Sequence, residues 1–414
     1  MQKLELFFDG NKIVDVTANS SFDLQYNNYW KENGFAISPH LPLNENIDSI
    51  SIKYFLENLL PEGRGLEDII SYYRVSKRDV VSILKTVGFE TSGALSFTKS
   101  SDNESFREVS KKELIKRVKE IDEISINFWD NKPRLSLAGV QDKLPVIYKD
   151  GKFGLADGKL SSTHILKFQT KRYQNIVLNE YLCLNLAKHC GLKVTNCEIL
   201  KLDSELVLLV ERFDRLLQNS EVKRLHLIDG CQLLDLPPSY KYERNFGSGR
   251  DVKHIRDGAS FAKLFSAVGN TKIPAVSKLK LLDWALFNLL IGNSDAHGKN
   301  VSFFVSKNGI ELAPFYDIIS TIIIENIEHD LAMAFGDEFD IDNVLYYDLE
   351  CFGKDIGLPI TLIKNRMQNM IKKIESKLDR VDFNIELKKE ESEFANRLKD
   401  AIRKRVLKMK EFFI

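Results

Sequence analysis

The sequence predicts a two-lobed α+β fold in which a small N-terminal α+β subdomain precedes a lobe of strands with one helix and a mainly helical C-terminal lobe. Its 414 residues exceed the ordinary size of one hydrophobic core. Short apolar runs typical of strands recur over residues 134–213, and beyond residue 225 apolar residues recur at helical spacing. These changes of pattern place the domains at residues 1–108, 109–224 and 225–414.

The N-terminal subdomain mixes strand-like and helical patterns. Leu4–Phe8 and Ile50–Ile52 are apolar runs typical of short strands, with a helical segment beside them. The subdomain closes on the Gly-Ala-Leu-Ser-Phe segment Gly93–Phe97. Residues Ser100–Glu108 are crowded with polar side chains, which predicts a loop or linker near the first boundary.

The second domain is predicted to contain three strands and one helix. The apolar runs Lys143–Tyr148, Thr163–Phe168 and Leu206–Val210 predict the strands, with glycine-rich turns over Gly151–Gly158. The segment Ile176–His189 has helical periodicity and is followed by a glycine that ends a helix readily. Strands with one helix indicate a unit like the nucleotide lobe of a kinase.

The third domain is predicted to be helical apart from one hairpin. Ser277–Ile291 has apolar residues at helical spacing, and Gly292 stops the run. Val301–Val305 and Ile310–Pro314 are predicted strands, joined by a segment whose Asn-Gly pair suits a tight turn. The hairpin returns the chain to the neighbourhood of the residues that precede it.

The composition excludes several classes of protein. Lys plus Arg (59) equals Asp plus Glu (59), so the net charge predicts no particular partner. No apolar run approaches the roughly 18 residues needed to span a bilayer, so we expect a cytoplasmic protein without a membrane segment. The five cysteines form no Cys-x-x-Cys pair and have no histidines at zinc spacing, which favours free thiols.

The loop that follows the predicted Ser277–Ile291 helix carries the strongest chemical pattern. Asp295 and Asn300 stand at the spacing of the Asp-x-x-x-x-Asn motif of kinase catalytic loops, in which the aspartate positions a hydroxyl and the asparagine binds magnesium. The hairpin is expected to bring Asp317 back beside Asn300, and such oxygens are the ligands that Mg²⁺ prefers. The alternative is a polar turn after a helix, which these residue types also form.

Other candidate residues have weaker local signals. Lys167 ends an apolar strand and is a candidate for binding phosphate oxygens, with Glu180 of the next helix as a possible partner. His297 could orient its loop or contact a nucleotide, and a local structural role is an equal alternative. The segment around Ser136 has small residues suited to a phosphate loop but lacks the Walker A pattern, and on spacing alone a β-turn is the preferred interpretation.

Seven ordered segments of the chain together resemble the HipA family of bacterial serine/threonine kinases, the toxins of HipBA toxin–antitoxin modules. The resemblance extends over nearly the whole chain. Agreement of several ordered blocks is far more specific than any single block. The segments are Phe55–Gly63, Gly93–Phe97, Ser136–Lys143, Ser162–Lys167, Val210–Arg215, Ile291–Asn300 and Ala313–Asp317.

The resemblance implies a kinase-like fold that uses ATP and Mg²⁺, and it assigns roles to residues of this chain. Asp295 resembles the catalytic base, Asn300 and Asp317 the magnesium ligands, and Ser136 the autophosphorylated serine whose modification switches the kinase off. Lys167 resembles the lysine that binds the ATP phosphates, and Glu211 and Phe213 resemble the strand on the adenine side. His297 and Tyr316 are further candidates for binding the cofactor.

Two departures from the family pattern stand out. Val140 replaces an alanine found in many members, which is a modest enlargement. Leu227 and Ile228 stand where members often have Gln and Glu, before the shared Asp229. Loss of two polar groups puts substrate or loop contacts there in doubt, but not the metal site.

The resemblance also implies partners, namely a helix-turn-helix antitoxin of HipB type, operator DNA contacted only through that antitoxin, and an aminoacyl-tRNA synthetase as the phosphorylated protein. An alternative is a transcriptional co-repressor that binds the antitoxin and has weak or lost kinase activity. The basic residues between Lys388 and Lys410 favour it weakly, because acidic neighbours dilute their charge. A small-molecule phosphotransferase with the same Asp and Asn pair is a third possibility.

Overall fold

The chain folds into two compact units, each built from several stretches of sequence. In this computed structural model the first unit comprises Met1–Arg172, Asn196–Ile228 and Phe304–Gly309, and the second comprises Tyr173–Thr195, Asp229–Phe303 and Ile310–Ile414. The predicted boundaries at residues 108 and 224 stay predictions. The structure describes residues 1–88, 91–98, 105–130, 132–134, 141–157, 160–218, 221–325 and 327–412, so Ser136 and Val140 lie outside the described residues.

The first unit begins with a four-stranded sheet and four helices. The sheet has the order β3-β2-β1-β4, and its described pairs are antiparallel. Its inward side chains alternate with exposed ones along β1, which is the pattern of a sheet with one buried face. The elements are β1 (Gln2–Phe8), β2 (Asn11–Ala18), β3 (Phe22–Tyr26), α1 (Asn28–Asn33), α2 (Ser49–Glu57), α3 (Gly63–Tyr73), α4 (Val80–Val87) and β4 (Leu95–Ser96).

The prediction of a strand at Ile50–Ile52 is wrong, because these residues belong to helix α2. Asp48 is the N-cap of this helix, and its side chain accepts a hydrogen bond of 2.9 Å from the Ile50 N–H. Ile52 is fully buried whereas Ile50 is exposed, which fits the two faces of an amphipathic helix.

The rest of the first unit is organised around a six-stranded antiparallel sheet with the order β11-β12-β10-β8-β9-β5. A hydrophobic cluster that includes Leu144, Leu166 and Leu209 covers one of its faces together with helix α5. The elements are β5 (Ser105–Val109), α5 (Lys111–Lys119), β6 (Phe128–Trp129), β7 (Lys132–Pro133), β8 (Lys143–Lys149), β9 (Lys152–Asp157), β10 (His164–Phe168), β11 (Cys197–Leu202), β12 (Glu205–Glu211), β13 (Arg215–Gln218) and β14 (Glu221–Arg224).

The sequence predictions located three strands of this sheet correctly and missed others. Strands β8, β10 and β12 confirm the predicted apolar runs to within one residue at each end. Two predicted irregular segments are wrong in part, because Ser105–Glu108 pairs with β9 and Lys152–Asp157 is β9 itself. Pairing between these two strands satisfies their backbone groups, which local polarity does not reveal.

The second unit is mainly helical, as predicted. Helix α6 has the predicted bounds, and α9 begins three residues before its predicted start and ends at Gly292, which has the left-handed φ of +75°. Its helices are α6 (Ile176–His189), α7 (Gly230–Leu233), α8 (Phe261–Ala267), α9 (Pro274–Ile291), α10 (Tyr346–Ile356), α11 (Ile360–Lys377) and α12 (Lys389–Glu411).

The remaining strands include the predicted hairpin. A three-stranded sheet has the order β15-β16-β17, and β16 and β17 are the hairpin strands, joined by Lys307 and Asn308. The Ala313 N–H donates to the Ser302 carbonyl at 2.9 Å, which extends the pairing past the end of β17. The strands are β15 (Leu227–Asp229), β16 (Ser302–Ser306), β17 (Gly309–Leu312), β18 (Asp330–Phe335) and β19 (Glu338–Asp340).

Candidate active site

The loop after α9 is packed into the protein and leaves one side chain partly exposed. Within residues 291–300 every residue is buried except Asp295, which is half-buried. The Asn293 side chain accepts a hydrogen bond from the Asp295 N–H at 3.1 Å and donates to the Asn288 side chain at 2.7 Å. These hydrogen bonds and the burial of its neighbours hold the backbone of Asp295 in a defined position on the loop.

Asn300 is tied back to Asp295 within the same loop. Its side-chain Nδ2 donates to the Asp295 carbonyl at 3.1 Å, and its N–H donates to the His297 carbonyl at 3.0 Å. Because Nδ2 takes part in this bond, the amide oxygen is the side-chain atom of Asn300 that this contact does not use. The loop therefore sets a carboxylate and an amide oxygen in one fixed arrangement.

The hairpin returns the chain to this loop. The Tyr316 hydroxyl donates to the Lys299 carbonyl at 2.7 Å and lies 2.7 Å from the Ser302 hydroxyl. The residue before Asp317 is thus in contact with the residue before Asn300. Burial raises the pKa of Tyr316, so its phenol stays protonated and serves the hairpin through these hydrogen bonds.

Asp317 has an uncommon backbone conformation. Its φ is +56°, in the left-handed region that aspartate tolerates better than most residues. The segment after it is held by α6, because Asn179 exchanges two hydrogen bonds of 2.8 Å with the backbone of Ser320. The Thr321 N–H also donates to the Gly292 carbonyl at 2.8 Å. Left-handed residues maintained in this way are concentrated at functional sites.

A buried ion pair links the loop to the residue that precedes α7. Lys299 Nζ is 2.9 Å from Asp229 Oδ2, and both side chains are largely buried. The other oxygen of Asp229 accepts the Gln232 N–H at 2.8 Å and so caps α7. The contact between Asp229 and Lys299 was not predictable from sequence, because the two residues lie far apart along the chain. The pair joins the start of α7 to the loop.

In the first unit Lys167 lies on β10 directly opposite Lys143 of β8. Both lysines are buried, at 6% and 7% exposure. Like charges facing each other across a strand pair are unfavourable, and an anion nearby relieves that cost. Lys143 was quoted in the sequence analysis but not chosen as a site residue. The pairing of Lys167 with Glu180 stays a prediction.

Glu211 is the last residue of β12, and Phe213 lies two positions further along the chain. The Glu211 side chain accepts a hydrogen bond from Asn196 Nδ2 at 2.8 Å, and the Glu211 N–H donates to the Asn196 carbonyl. The Phe213 ring meets the Phe304 ring edge to face at 6.0 Å. The Glu211 carboxylate is thus engaged with protein.

Arg212, Asp214 and Arg215, which follow Glu211 closely in sequence, form a buried ionic cluster. The Asp214 carboxylate lies 2.8 Å from both the Arg212 and the Arg215 guanidinium groups, and it accepts the Gly93 N–H at 2.7 Å. Arg212 also donates to the Ser162 hydroxyl at 2.9 Å. The cluster fixes the end of β12 against the Gly93 segment, and sequence analysis had not predicted it.

The departure at Leu227 and Ile228 is accommodated by packing. Both side chains are buried, at 7% and 1% exposure. A Cβ on Gly93, whose φ is +78°, would lie 2.8 Å from the Leu227 nitrogen, so the backbones approach closely there. The apolar pair therefore belongs to the core of the first unit.

Comparison with known proteins identifies the relatives of this fold. A family model described as the HipA-like C-terminal domain matches residues 135–379, more than half of the chain, and one described as the HipA N-terminal domain matches residues 4–98. The chain belongs to the HipA family. The predicted resemblance and the kinase-like α+β fold are thereby confirmed.

Two relatives show how far the similarity extends. The serine/threonine-protein kinase toxin HipA of Shewanella oneidensis is 41% identical over 370 residues, covering 88% of this chain and 85% of the relative. The solved structure of the Shewanella oneidensis toxin–antitoxin system, HipA with HipB and operator DNA, matches with a TM-score of 0.92 and 38% identity over 99% of this chain and 98% of that chain.

The family membership establishes the general activity. The chain is a serine/threonine-protein kinase toxin of the HipA family, and as a kinase it uses ATP. The roles of individual site residues stay predictions. Across the part of the chain that the structure describes, no helix has the length and apolar character to cross a membrane.

Gly230 provides a test of how tightly the loop of residues 291–300 is packed. A Cβ at this position would lie 2.3 Å from the Gly298 carbonyl oxygen, inside the loop. We expect Gly230→Ala to lower the free energy of unfolding by about 1–3 kcal/mol, as overpacking does. Chemical denaturation with and without the change measures it.

The matched control is Gly269→Ala in the same unit, because nothing lies within 4 Å of a Cβ there. Its free energy of unfolding should stay close to that of the unchanged protein. Equal unfolding curves for both variants would show that the loop accommodates the added methyl group without loss of stability.

Proposed function

We propose that the chain transfers the γ-phosphoryl group of ATP to a serine or threonine hydroxyl of a protein, with Asp295 as catalytic base. The observation that carries the proposal is the loop in which Asp295 is half-buried among buried neighbours while Asn300 donates to its carbonyl at 3.1 Å. This loop matches the kinase arrangement of a base followed by a metal-binding asparagine.

We assign the metal site to Asn300 and Asp317. Their donor atoms are an amide oxygen and a carboxylate, which suit Mg²⁺ because this ion takes hard oxygen ligands and completes its shell with water and substrate phosphates. The described residues contain no group of three or more His, Cys, Asp or Glu placed to hold a metal. Two protein ligands with phosphate oxygens fit that donor set, and the ion would neutralise charge on the transferred group.

For ATP we assign the phosphate contact to Lys167, supported by its buried lysine neighbour Lys143. Glu211 and Phe213 are assigned to the adenine side, through the backbone that the Asn196 contact and the ionic cluster hold in place. His297 and Tyr316 stay candidates for nucleotide contact, although the Tyr316 hydroxyl is already bonded within the hairpin. All of these are proposals about residue roles.

Regulation and the acceptor are proposed from the resemblance alone. Ser136 is the proposed autophosphorylation site, where a phosphate would bring close to two negative charges into a segment that precedes the buried lysine on β8. An aminoacyl-tRNA synthetase is the proposed acceptor protein. Its phosphorylation would arrest growth by blocking tRNA charging, as expected for a toxin.

We also propose that the chain binds a helix-turn-helix antitoxin of HipB type and reaches operator DNA through it, since the similar Shewanella structure contains HipB and operator DNA. Direct DNA contact by the basic α12 receives less support. Arg403 pairs with Asp379 at 2.9 Å and Arg405 pairs with Asp342 at 2.9 Å, so part of its charge is used within the second unit.

Incubation of the purified chain with γ-labelled ATP and a cell lysate tests the proposed activity. We expect label in protein bands in the presence of Mg²⁺, recovered as phosphoserine or phosphothreonine after hydrolysis, and no label when EDTA removes the metal. A Ser136→Ala variant should lose label in the chain itself and keep transfer to the acceptor. Label found only in small molecules would contradict the proposal of a protein acceptor.

A further inference from the structure

The hydroxyl of Tyr242 contacts the carboxylate of Asp295. It donates a hydrogen bond of 2.8 Å to Asp295 Oδ1, across 53 positions of sequence. We infer that Tyr242 is a positioning residue of the kinase reaction, which orients the Asp295 carboxylate so that its other oxygen receives the proton of the acceptor hydroxyl. The inference rests on the proposed role of Asp295 as base.

The backbone around Tyr242 is anchored on both sides. Just before it, the Lys241 carbonyl accepts the Gly298 N–H at 3.0 Å, which ties the segment to the loop that carries Asp295. Just after it, the Glu243 N–H donates to the Ala332 carbonyl at 2.8 Å. Tyr242 is therefore held to the loop and to strand β18 at the same time, and its side chain starts from a fixed position.

A glycine allows a third segment to approach Tyr242 closely. A Cβ on Gly258 would lie 1.8 Å from the Tyr242 carbonyl oxygen, so only glycine fits there. The Gly258 N–H donates to the Glu243 carbonyl at 3.2 Å. The Glu243 side chain continues the anchoring, because it accepts the Ala334 N–H at 2.9 Å and pairs with Arg256.

The ring of Tyr242 is also held from the side. It meets the buried His297 ring edge to face, with the ring centres 5.2 Å apart and the planes at 87°. His297 lies two residues after Asp295, so this contact fixes the phenol relative to the same loop. At 37% exposure, the Tyr242 side chain still leaves part of its surface open to solvent, where a protein acceptor can reach.

The chemical consequence concerns the two oxygens of the base. In the reaction the acceptor oxygen bonds to the γ-phosphorus, and the bond from that phosphorus to the bridging oxygen breaks, its electron pair leaving with ADP. The acceptor proton passes to Asp295. Because Asp295 Oδ1 already accepts the hydrogen bond of the Tyr242 hydroxyl, Oδ2 is the oxygen that takes the proton. The same hydrogen bond prevents the carboxylate from rotating Oδ2 away from the acceptor hydroxyl.

The variant Tyr242→Phe removes the hydroxyl and keeps the ring against His297. Steady-state kinetics should show kcat about tenfold lower, the effect of losing one hydrogen bond to a charged group, with KM for ATP unchanged. Tyr240→Phe is the matched control, since that ring contacts Phe246 at 6.2 Å and should leave kcat as it is. Thermal unfolding of each variant checks that the fold is kept.

A double-mutant cycle separates positioning from a general structural effect. In the Asp295→Asn background, Tyr242→Phe should change the residual single-turnover rate by less than about twofold, because groups that act as a unit are not additive. Equal additional losses in both backgrounds would overturn the inference. So would a Tyr242→Phe variant with unchanged or increased kcat, or one in which only KM changes.

The same measurements distinguish this inference from the proposed function. If Asp295→Asn keeps the full rate, the assignment of the base fails. If Asp295→Asn is inactive and Tyr242→Phe is fully active, only the role of Tyr242 fails.

Discussion

Asp295→Asn is expected to reduce kcat for phosphoryl transfer by about 10³-fold, within the range found for removal of a general base. The amide has the shape of the carboxylate, and its oxygen can still accept the Tyr242 hydroxyl, so the loop should keep its conformation. The variant replaces by an amide NH2 group the carboxylate oxygen that is proposed to take the proton from the hydroxyl of the acceptor protein. Single-turnover transfer of labelled phosphate, with ATP binding measured separately, gives the size of the effect.

Asp251→Asn serves as the control for this variant. Asp251 is an exposed residue of the same unit, outside the loop. Its variant should transfer phosphate at the rate of the unchanged protein. A rate for Asp295→Asn within tenfold of the unchanged protein would remove Asp295 from the role of base and direct attention to other groups of the loop.

The second large effect is expected from Asp214→Ala, which should lower the free energy of unfolding of the first unit by about 3–5 kcal/mol. The change leaves the buried guanidinium groups of Arg212 and Arg215 without the carboxylate that lies 2.8 Å from each. It also removes the acceptor of the Gly93 N–H. Denaturant unfolding followed by fluorescence or circular dichroism measures the loss.

The matched control is Glu67→Ala, which breaks the exposed pair between Glu67 and Lys77 at 2.8 Å in the same unit. Exposed pairs of this kind contribute at most about 1 kcal/mol. Comparable losses from both variants would contradict the importance assigned to the buried cluster.

The charge state of Asp214 gives this prediction a pH dependence. Burial alone would raise the pKa of Asp214, but the charges of Arg212 and Arg215 and the hydrogen bond from Gly93 outweigh burial and hold it well below its usual range. A depressed pKa in the folded state stabilises the fold above the pKa of the unfolded state, and that stabilisation is lost as the pH falls. The unfolding free energy should therefore decline from about pH 5 downward, and less steeply in Asp214→Ala.

The cluster also fixes the position of Phe213, one of the residues proposed to lie on the adenine side. Arg212 and Asp214 flank Phe213 in sequence, so their burial fixes the backbone on both sides of it. A variant that loses the cluster should bind ATP more weakly even where the unit still folds. Glu211 is held independently through Asn196.

Several parts of the fold were predictable because their signals are local. Helices α6 and α9 carry apolar periodicity together with a glycine just beyond the last turn, and both were predicted closely. The hairpin was predicted from two apolar runs around an Asn-Gly pair. Strand β5 was missed, because it is polar and exists through its pairing with β9.

The sequence by itself determined helices α6 and α9, three strands of the six-stranded sheet, the position of the loop with Asp295 and Asn300, and the hairpin that precedes Asp317. These depend on residues that are near one another along the chain, where spacing and turn chemistry decide the outcome. Family resemblance added the kinase activity, which the comparisons support, and roles for individual residues that stay predictions.

Only the tertiary structure decided which distant groups meet these residues. Tyr242 reaches Asp295, Asp229 reaches Lys299, and Asp214 reaches Gly93. In each case the partners lie dozens of positions apart in sequence. For Asp229 and Asp214 the contact is buried, where an unpaired charge or donor would be costly, whereas Tyr242 meets Asp295 at a partly exposed position. A pattern in the sequence records which residues are polar, whereas the packing of the folded chain determines which of them come within hydrogen-bonding distance.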